Sequence, residues 1–147
     1  MLELRICIDV DDLERGLAFY TSAFELRLGR RFDQHWAELL GGSAPIDLLA
    51  VAGESKPVPG RAIERRFDRH WTPVHLDFMV TDVERAVERA VGAGAVLERP
   101  IRDQAYGRIA NLADPFGHGI CLLQLSERGY DALSSQPDAE SEPSASR

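Results

Sequence analysis

Residues 2–10 alternate strictly. Leu2, Leu4, Ile6, Ile8 and Val10 share one face; Glu3, Arg5, Cys7 and Asp9 share the other. A period of two predicts a strand with one face against apolar neighbours. Leu13, Leu17, Tyr20 and Phe24 then recur at helical spacing and predict an amphipathic helix with one buried stripe. Asp11-x-x-Glu14 supplies an N-terminal cap for that helix, with acidic residues its dipole favours. Three short strands are expected next, at about 26–32, 35–41 and 45–51, with Gly41-Gly42-Ser43 as the turn between the last two.

The plan then returns. Val10-Asp-Asp-Leu-Glu-Arg-Gly-Leu17 reappears as Val80-Thr-Asp-Val-Glu-Arg-Ala-Val87, an offset of 70 residues. Val74, Leu76, Phe78 and Val80 share one strand face; His75, Asp77 and Met79 share the other. Thr81-x-x-Glu84 reads as a capping box, and Val83, Ala86, Val87, Ala90 and Val91 as the buried stripe of a second helix ending at Gly92 or Gly94. Strands follow at about 96–102, 107–113 and 118–125, with Asp114-Pro-Phe-Gly117 as a turn. Two copies of a long unit predict a pseudo-symmetric domain and not a solenoid.

The expected fold is therefore α+β: two βαβββ modules related by a pseudo-twofold axis and forming a shared cleft. The modules are 1–51 and 74–126, within one domain at 1–126. The linker, 52–73, opens with Pro57, Pro59 and Gly60, and its second half, 61–70, has the composition of a short helix. Residues 127–147 turn to Ser, Pro, Glu and Ala and are expected to be a mobile tail. Each helix covers one face of its strands. The opposite face, carrying Arg5, Cys7, Asp9, His75, Asp77 and Met79, is left to line the cleft.

Composition narrows the partners. The chain has 147 residues, 44% hydrophobic, which is enough for one core. No apolar run approaches the roughly 20 residues a membrane helix needs. Met1–Ile8 has no basic region leading into an apolar stretch, so no signal peptide is expected, and the expectation is a soluble cytoplasmic protein. A net charge of −7, with no basic block beyond Arg30-Arg31 and Arg65-Arg66, argues against nucleic acid. Cys7 and Cys121 are expected to be free thiols. Lys56 is the single lysine against sixteen arginines, a skew that fits a GC-rich bacterial genome.

Three segments carry a resemblance: Asp12-Leu-Glu-Arg-Gly-Leu-Ala-Phe-Tyr20, Val74-His-Leu-Asp-Phe78, and Leu112-Ala-Asp-Pro-Phe-Gly-His-Gly-Ile-Cys-Leu-Leu123 with Gln124. With their order and spacing, residues 1–126 resemble the vicinal oxygen chelate superfamily, the glyoxalase, bleomycin-resistance and extradiol-dioxygenase group. Its members range from metal-dependent lyases and dioxygenases to proteins that only sequester a drug. In metal-using members each module supplies two ligands, one from its first strand and one from its last. The resemblance implies that the corresponding residues here are Arg5, Asp47, His75 and Cys121. This departs from the usual set. Arginine cannot ligate, and cysteine favours a soft ion such as zinc.

The cleft candidates are Arg5, Asp47, His75, Asp77 and Cys121. His75 is either a ligand or general base, or a hydrogen-bonded core histidine. Arg5 is either paired internally with Asp47, Asp77 or Asp9, or a clamp for a ligand's carboxylate or phosphate. Cys121 is a thiolate ligand or nucleophile, or an inert buried thiol. Asp47 orients an imidazole, binds metal, or pairs with Arg5. His35, His70 and His118 lie in or beside turns, and His118 is read as structural. Trp36, Trp71 and Tyr106 are placed near the cleft mouth, to stack on a planar ligand or to pack in the core or a dimer contact. No catalytic residue is assigned, and enzymatic activity is left open.

The functional expectation is a metal-independent small-molecule-binding protein with no cofactor. The alternative is a metal-dependent lyase, isomerase or dioxygenase acting on adjacent oxygens. It would use Asp47, His75 and Cys121 with one divalent ion, zinc being the most compatible. A third reading is an accessory module that only dimerises. The expected partners are a small-molecule ligand and a second copy of the chain, a homodimer meeting through the linker with Phe67 and Trp71.

Overall fold

The two modules form two four-stranded sheets in the computed structural model, which describes residues 1–134. In the first sheet β1 (Ile6–Val10) pairs in parallel with β4 (Ile46–Ala50). Antiparallel neighbours β3 (Trp36–Leu40) and β2 (Arg27–Phe32) follow, in the order β1-β4-β3-β2. The second sheet repeats this with β5 (Leu76–Met79), β8 (Gly119–Leu125), β7 (Gly107–Ala113) and β6 (Val96–Gln104). Helices α1 (Leu13–Phe24) and α2 (Val83–Gly92) each follow the first strand of their module. The result is the expected paired βαβββ arrangement of an α+β fold. No helix among the described residues is long and apolar enough to cross a membrane.

Both first strands are shorter than their alternation suggests. Leu2 and Leu4 are 96% and 66% exposed, and Val74 is 76% exposed. The reason is the register. Ile6 is already opposite Ile46, the first residue of β4, and Leu76 is opposite Ile120, so residues before them have little partner strand to pair with. Within the paired segments the alternation holds, and Ile8 and Val10 are buried.

Each helix is capped by an aspartate one residue beyond the expected cap, Asp12 after Asp11 and Asp82 after Thr81. Asp12 accepts a hydrogen bond from the Arg15 N–H at 2.8 Å, and Asp82 from the Arg85 N–H at 3.0 Å. These two residues have the extended backbone an N-cap needs, φ −142° and −143°. Asp11 instead pairs with the Arg15 side chain at 3.2 Å. Asp12 and Asp82 stand at the same 70-residue offset as the repeat, so the symmetry extends to the caps.

α1 buries Leu13, Leu17, Phe19, Tyr20 and Ala23, and α2 buries Val83, Ala86 and Ala90. These side chains join Val10, Leu39, Leu48, Leu112, Phe116 and Leu122 in one continuous core. Each such large side chain contributes about 1.5–3 kcal/mol. Val91, expected in the stripe, is 44% exposed, while its neighbour Ala90 is fully buried. The modules are joined through their helical layer. Phe24 stacks on Phe78 with centroids 3.9 Å apart, and the Tyr20 hydroxyl donates to Asp114 at 2.6 Å.

The linker forms no helix. Its backbone groups are taken by other partners: the Glu54 N–H donates to the Arg65 carbonyl and the Arg65 N–H to the Ser55 carbonyl, both at 2.9 Å. Arg65 also binds Asp9 of β1 at 2.6 Å, and the His70 N–H donates to the Gly117 carbonyl at 3.2 Å. The chain is thus stitched to both modules. Gly117, at φ +86°, permits the crossing, since a Cβ there would lie 2.0 Å from the Asp68 carbonyl oxygen.

Structure continues past the expected domain end. Gly129–Leu133 form a 3-10 turn in which Gly129 is buried and Tyr130 lies against Tyr106, centroids 5.4 Å apart. The rest of the expected tail, 135–147, lies outside the described residues.

Candidate functional site

Arg5 and His75 stand immediately before β1 and β5, at the repeat offset; Arg5 reaches Asp47, the second paired residue of β4, and His75 lies near Cys121, the second paired residue of β8. Asp47 is opposite Cys7 in the ladder, and Cys121 is opposite Asp77. The same backbone geometry therefore presents two side-chain sets, one per sheet, and their chemistry differs completely.

In the first module the set is closed upon itself. Arg5 donates to both oxygens of Asp47, from Nε at 3.0 Å and Nη2 at 2.6 Å, and to Glu38 at 2.8 Å. Arg30 in turn grips Glu38 from Nε at 3.0 Å and Nη2 at 2.7 Å. Two guanidiniums thus satisfy two buried carboxylates. The hydrogen bonds from Arg30 and Arg5 hold the Glu38 carboxyl down to about 2. Those that Arg5 donates to Asp47 and Glu38 raise its own guanidinium and hold it firmly protonated.

In the second module the set is open. His75 Nε2 lies 3.1 Å from Asp77, and the donor atoms of His75, Asp77 and Cys121 all fall within 4.8 Å of one another. Cys121 is buried, and the Asn111 amide donates to its sulfur at 3.0 Å. Burial and the Asp77 carboxylate push the Cys121 thiol up, so it stays protonated near neutral pH and is a poor nucleophile. Asn111 also accepts from Arg102 Nη2 at 2.7 Å.

Beside this set lies a cleft of about 320 Å³, lined by His75, Cys121, Asn111, Arg102, Arg99 and Trp71 among others. Trp71 is 80% exposed at its edge. A wider groove of about 600 Å³ runs between the modules, walled by Ile6, Phe24 and Ile46 on one side and Leu76, Phe78 and Met79 on the other. Arg5 and Asp47 line neither space.

The five expected residues thus fall into two groups. Arg5 joins Asp47; His75, Asp77 and Cys121 join one another. Asp47 does not come together with His75 and Cys121, because its carboxylate is held by Arg5. Of the aromatics, Trp71 alone lines the cleft. Trp36 lies on Phe32 with centroids 4.8 Å apart, and Tyr106 on Tyr130. His118 links the halves: Nε2 lies 2.8 Å from the Asp9 carbonyl and Nδ1 3.0 Å from His70 Nε2. Both cysteines are free thiols, Cys7 exposed and Cys121 buried.

Sequence reasoning missed Glu38, Arg30, Asn111 and Arg102. A signal existed for two of them. Glu38 and Asn111 are single polar residues in the middle of apolar strands, Trp36-Ala-Glu-Leu-Leu40 and Ile109-Ala-Asn-Leu112, where alternation puts them on the open face. The arginines gave none, since β2 and β6 carry register shifts that break their periodicity.

Comparison with known proteins agrees with this architecture. Residues 5–123 match the family model described as a glyoxalase-like domain. An uncharacterized protein of Mycobacterium bovis is 42% identical over 144 residues, spanning 88% of this chain and 90% of that protein. Among solved structures, the fosfomycin resistance protein FosX of Listeria monocytogenes is similar with a TM-score of 0.64 at 20% identity, covering 87% of this chain and 96% of that one. Lactoylglutathione lyase of Agrobacterium tumefaciens has a TM-score of 0.59 at 16% identity, covering 84% and 92%. At these identities the two structures speak to the fold alone.

Proposed function

The chain belongs to the glyoxalase-like domain family, and from that premise we propose that it is a small-molecule-binding protein that works without a metal. One observation carries the reading. Arg5 and Asp47, which the resemblance assigns to the first module's ligand positions, are bound to each other by two hydrogen bonds. Arginine cannot ligate, and its fixed charge holds the Asp47 carboxylate. The family's four-ligand set therefore does not fit these residues. The cleft beside His75 remains open for a ligand, with Trp71 as a stacking surface at its edge.

The experiment uses tryptophan fluorescence. Trp36 and Trp71 are the two tryptophans, so Trp36→Phe leaves Trp71 as sole reporter at the cleft. A screen of aromatic and heteroaromatic fragments should yield compounds that quench it saturably. A screen in which nothing binds at millimolar concentration would sink the reading.

One observation favours a second reading, a metal-dependent lyase, isomerase or dioxygenase. His75, Asp77 and Cys121 bring three donor atoms within 4.8 Å. These three would hold the ion, and zinc suits that donor set best. Bound there, a divalent ion would polarise a substrate oxygen as a Lewis acid. Asp77 takes the place sequence reasoning gave to Asp47.

The same reading places the protein in the cytoplasm as a homodimer. Free thiols support the first. Exposed Trp71, Val74 and Met79 support the second. Phe67, the other expected contact, instead packs against the core. Sedimentation at micromolar concentration tests the dimer, and a clean monomer mass would remove it.

A further inference from the structure

Among the differences between the two modules, one removes a carboxylate beside an arginine. Glu38 is paired in the ladder with Asp47, and Asn111 is paired with Cys121, the counterpart of Asp47. Arg30 reaches Glu38 with two hydrogen bonds, and Arg102 reaches Asn111 with one. The first guanidinium thus meets a carboxylate. The second meets a neutral amide, and its Nη1 is buried with no acceptor at all. A guanidinium nitrogen left without an acceptor away from water is costly and is normally satisfied.

The surroundings do not supply the missing charge. The cleft lining holds three arginines, Arg69, Arg99 and Arg102, and one carboxylate, Glu98. Glu98 is already taken by Arg69, with Nη2 to Oε2 at 2.9 Å. The Arg99 side chain makes no hydrogen bond or ion pair among the described residues, and it feels the Glu98 charge only at a distance. Asp77 lies against His75 and outside the cleft lining. Two arginines with no carboxylate bound to them, Arg99 and Arg102, therefore line one small cleft in a chain whose net charge is −7. In so acidic a protein a local positive site draws anions against the overall field.

We propose that the cleft of the second module takes a small organic anion. Its carboxylate or phosphoryl oxygens would occupy, between Arg99 and Arg102, the place the Glu38 carboxylate fills in the first module. The rest of the ligand lies toward His75 and Trp71. Nη1 of Arg102 is closed off from solvent as it stands, so the side chain swings about its Nη2–Asn111 hydrogen bond to bring that nitrogen onto the anion. This deepens the small-molecule-binding reading and rests on it.

The test titrates the full chain at low salt with phenylphosphonate and phenylacetate, and with phenethyl alcohol as a neutral counterpart, followed by amide NMR shifts. The anions should bind at least about tenfold more tightly than the alcohol, and the preference should fade with added salt. Arg99→Gln, at an exposed position, should weaken the anions alone. Asn111→Asp is the sharper variant. It supplies beside Arg102 the carboxylate that the first module has, so it should remove the preference while the melting temperature holds. Equal binding of alcohol and anions, or an Asn111→Asp protein and an Arg99→Gln protein that both bind anions like wild type, overturns the anionic ligand and leaves the small-molecule reading standing. If no probe of either kind shifts the cleft amides, both readings fall.

Discussion

Tyr20 and Asp114 join the two modules through a 2.6 Å hydrogen bond between residues 94 apart in sequence, and both are buried. Asp114 is the hub of its turn. Its other oxygen accepts from the Phe116 N–H at 2.9 Å and the His118 N–H at 2.8 Å. Burial, and then the Asp114 charge, push the Tyr20 phenol well above its ordinary range, so it remains a donor throughout neutral conditions.

Tyr20→Phe should therefore destabilise the fold by about 1–3 kcal/mol, since a buried carboxylate oxygen loses its donor while the ring still packs. Urea unfolding measures it. A change indistinguishable from zero would mean that solvent reaches Asp114.

Glu38 sets an acid limit. Its carboxyl lies at about 2, below the ordinary value of 4.5, because Arg30 and Arg5 donate to it. A depressed carboxyl contributes stability that is fully present above the ordinary value and is lost as pH falls toward the depressed one. Melting temperature should thus decline between about pH 4.5 and 2, and Glu38→Gln should flatten that part of the curve while lowering stability at neutral pH. An unchanged acid limb in Glu38→Gln would assign the decline to other carboxylates.

Much of this architecture was legible in the chain, for identifiable reasons. Periodicity and turn chemistry are local, so Ile8 and Val10, the α1 stripe and the Asp114-Pro-Phe-Gly117 turn all appear where the pattern puts them. Errors arose where a distant partner decides. Leu2, Leu4 and Val74 alternate properly but have no neighbouring strand. Residues 61–70 have helical composition, yet Arg65 trades its backbone hydrogen bonds with 54–55. At the site, the repeat correctly made Arg5 and His75 counterparts. It could not reveal Glu38 and Asn111 as the neighbours that close one set and open the other, because that depends on register across three strands.

The C-terminal boundary gives a graded expectation. Removing residues 135–147 takes away Ser, Pro and Glu with little to bury and should leave the melting temperature nearly unchanged. Cutting after Ser126 also removes the 3-10 turn, with Gly129 against Leu125 and Tyr130 against Tyr106. That aromatic pair is worth about 0.5–1.5 kcal/mol. A fall of comparable size is expected in the shorter protein. Equal melting of both truncations would show that the turn does not dock in solution.

Metal content separates the two functional readings. Ligation by His75, Asp77 and Cys121 requires the buried Cys121 thiol to give up its proton to the ion. In the other module, Arg5 holds Asp47 bidentately and brings a permanent positive charge. Protein purified without chelator or affinity tag should therefore carry far less than one metal ion per chain. Arg5→His is the informative change. It removes the charge that opposes a cation and places an imidazole beside the freed Asp47 carboxylate, with Glu38 next to it. Zinc or manganese binding that appears in Arg5→His, and is absent from wild type, is the expected result of elemental analysis and calorimetric titration. If wild type already holds one zinc per chain and His75→Ala abolishes it, then the open set of the second module is a metal site and the metal-free reading is wrong.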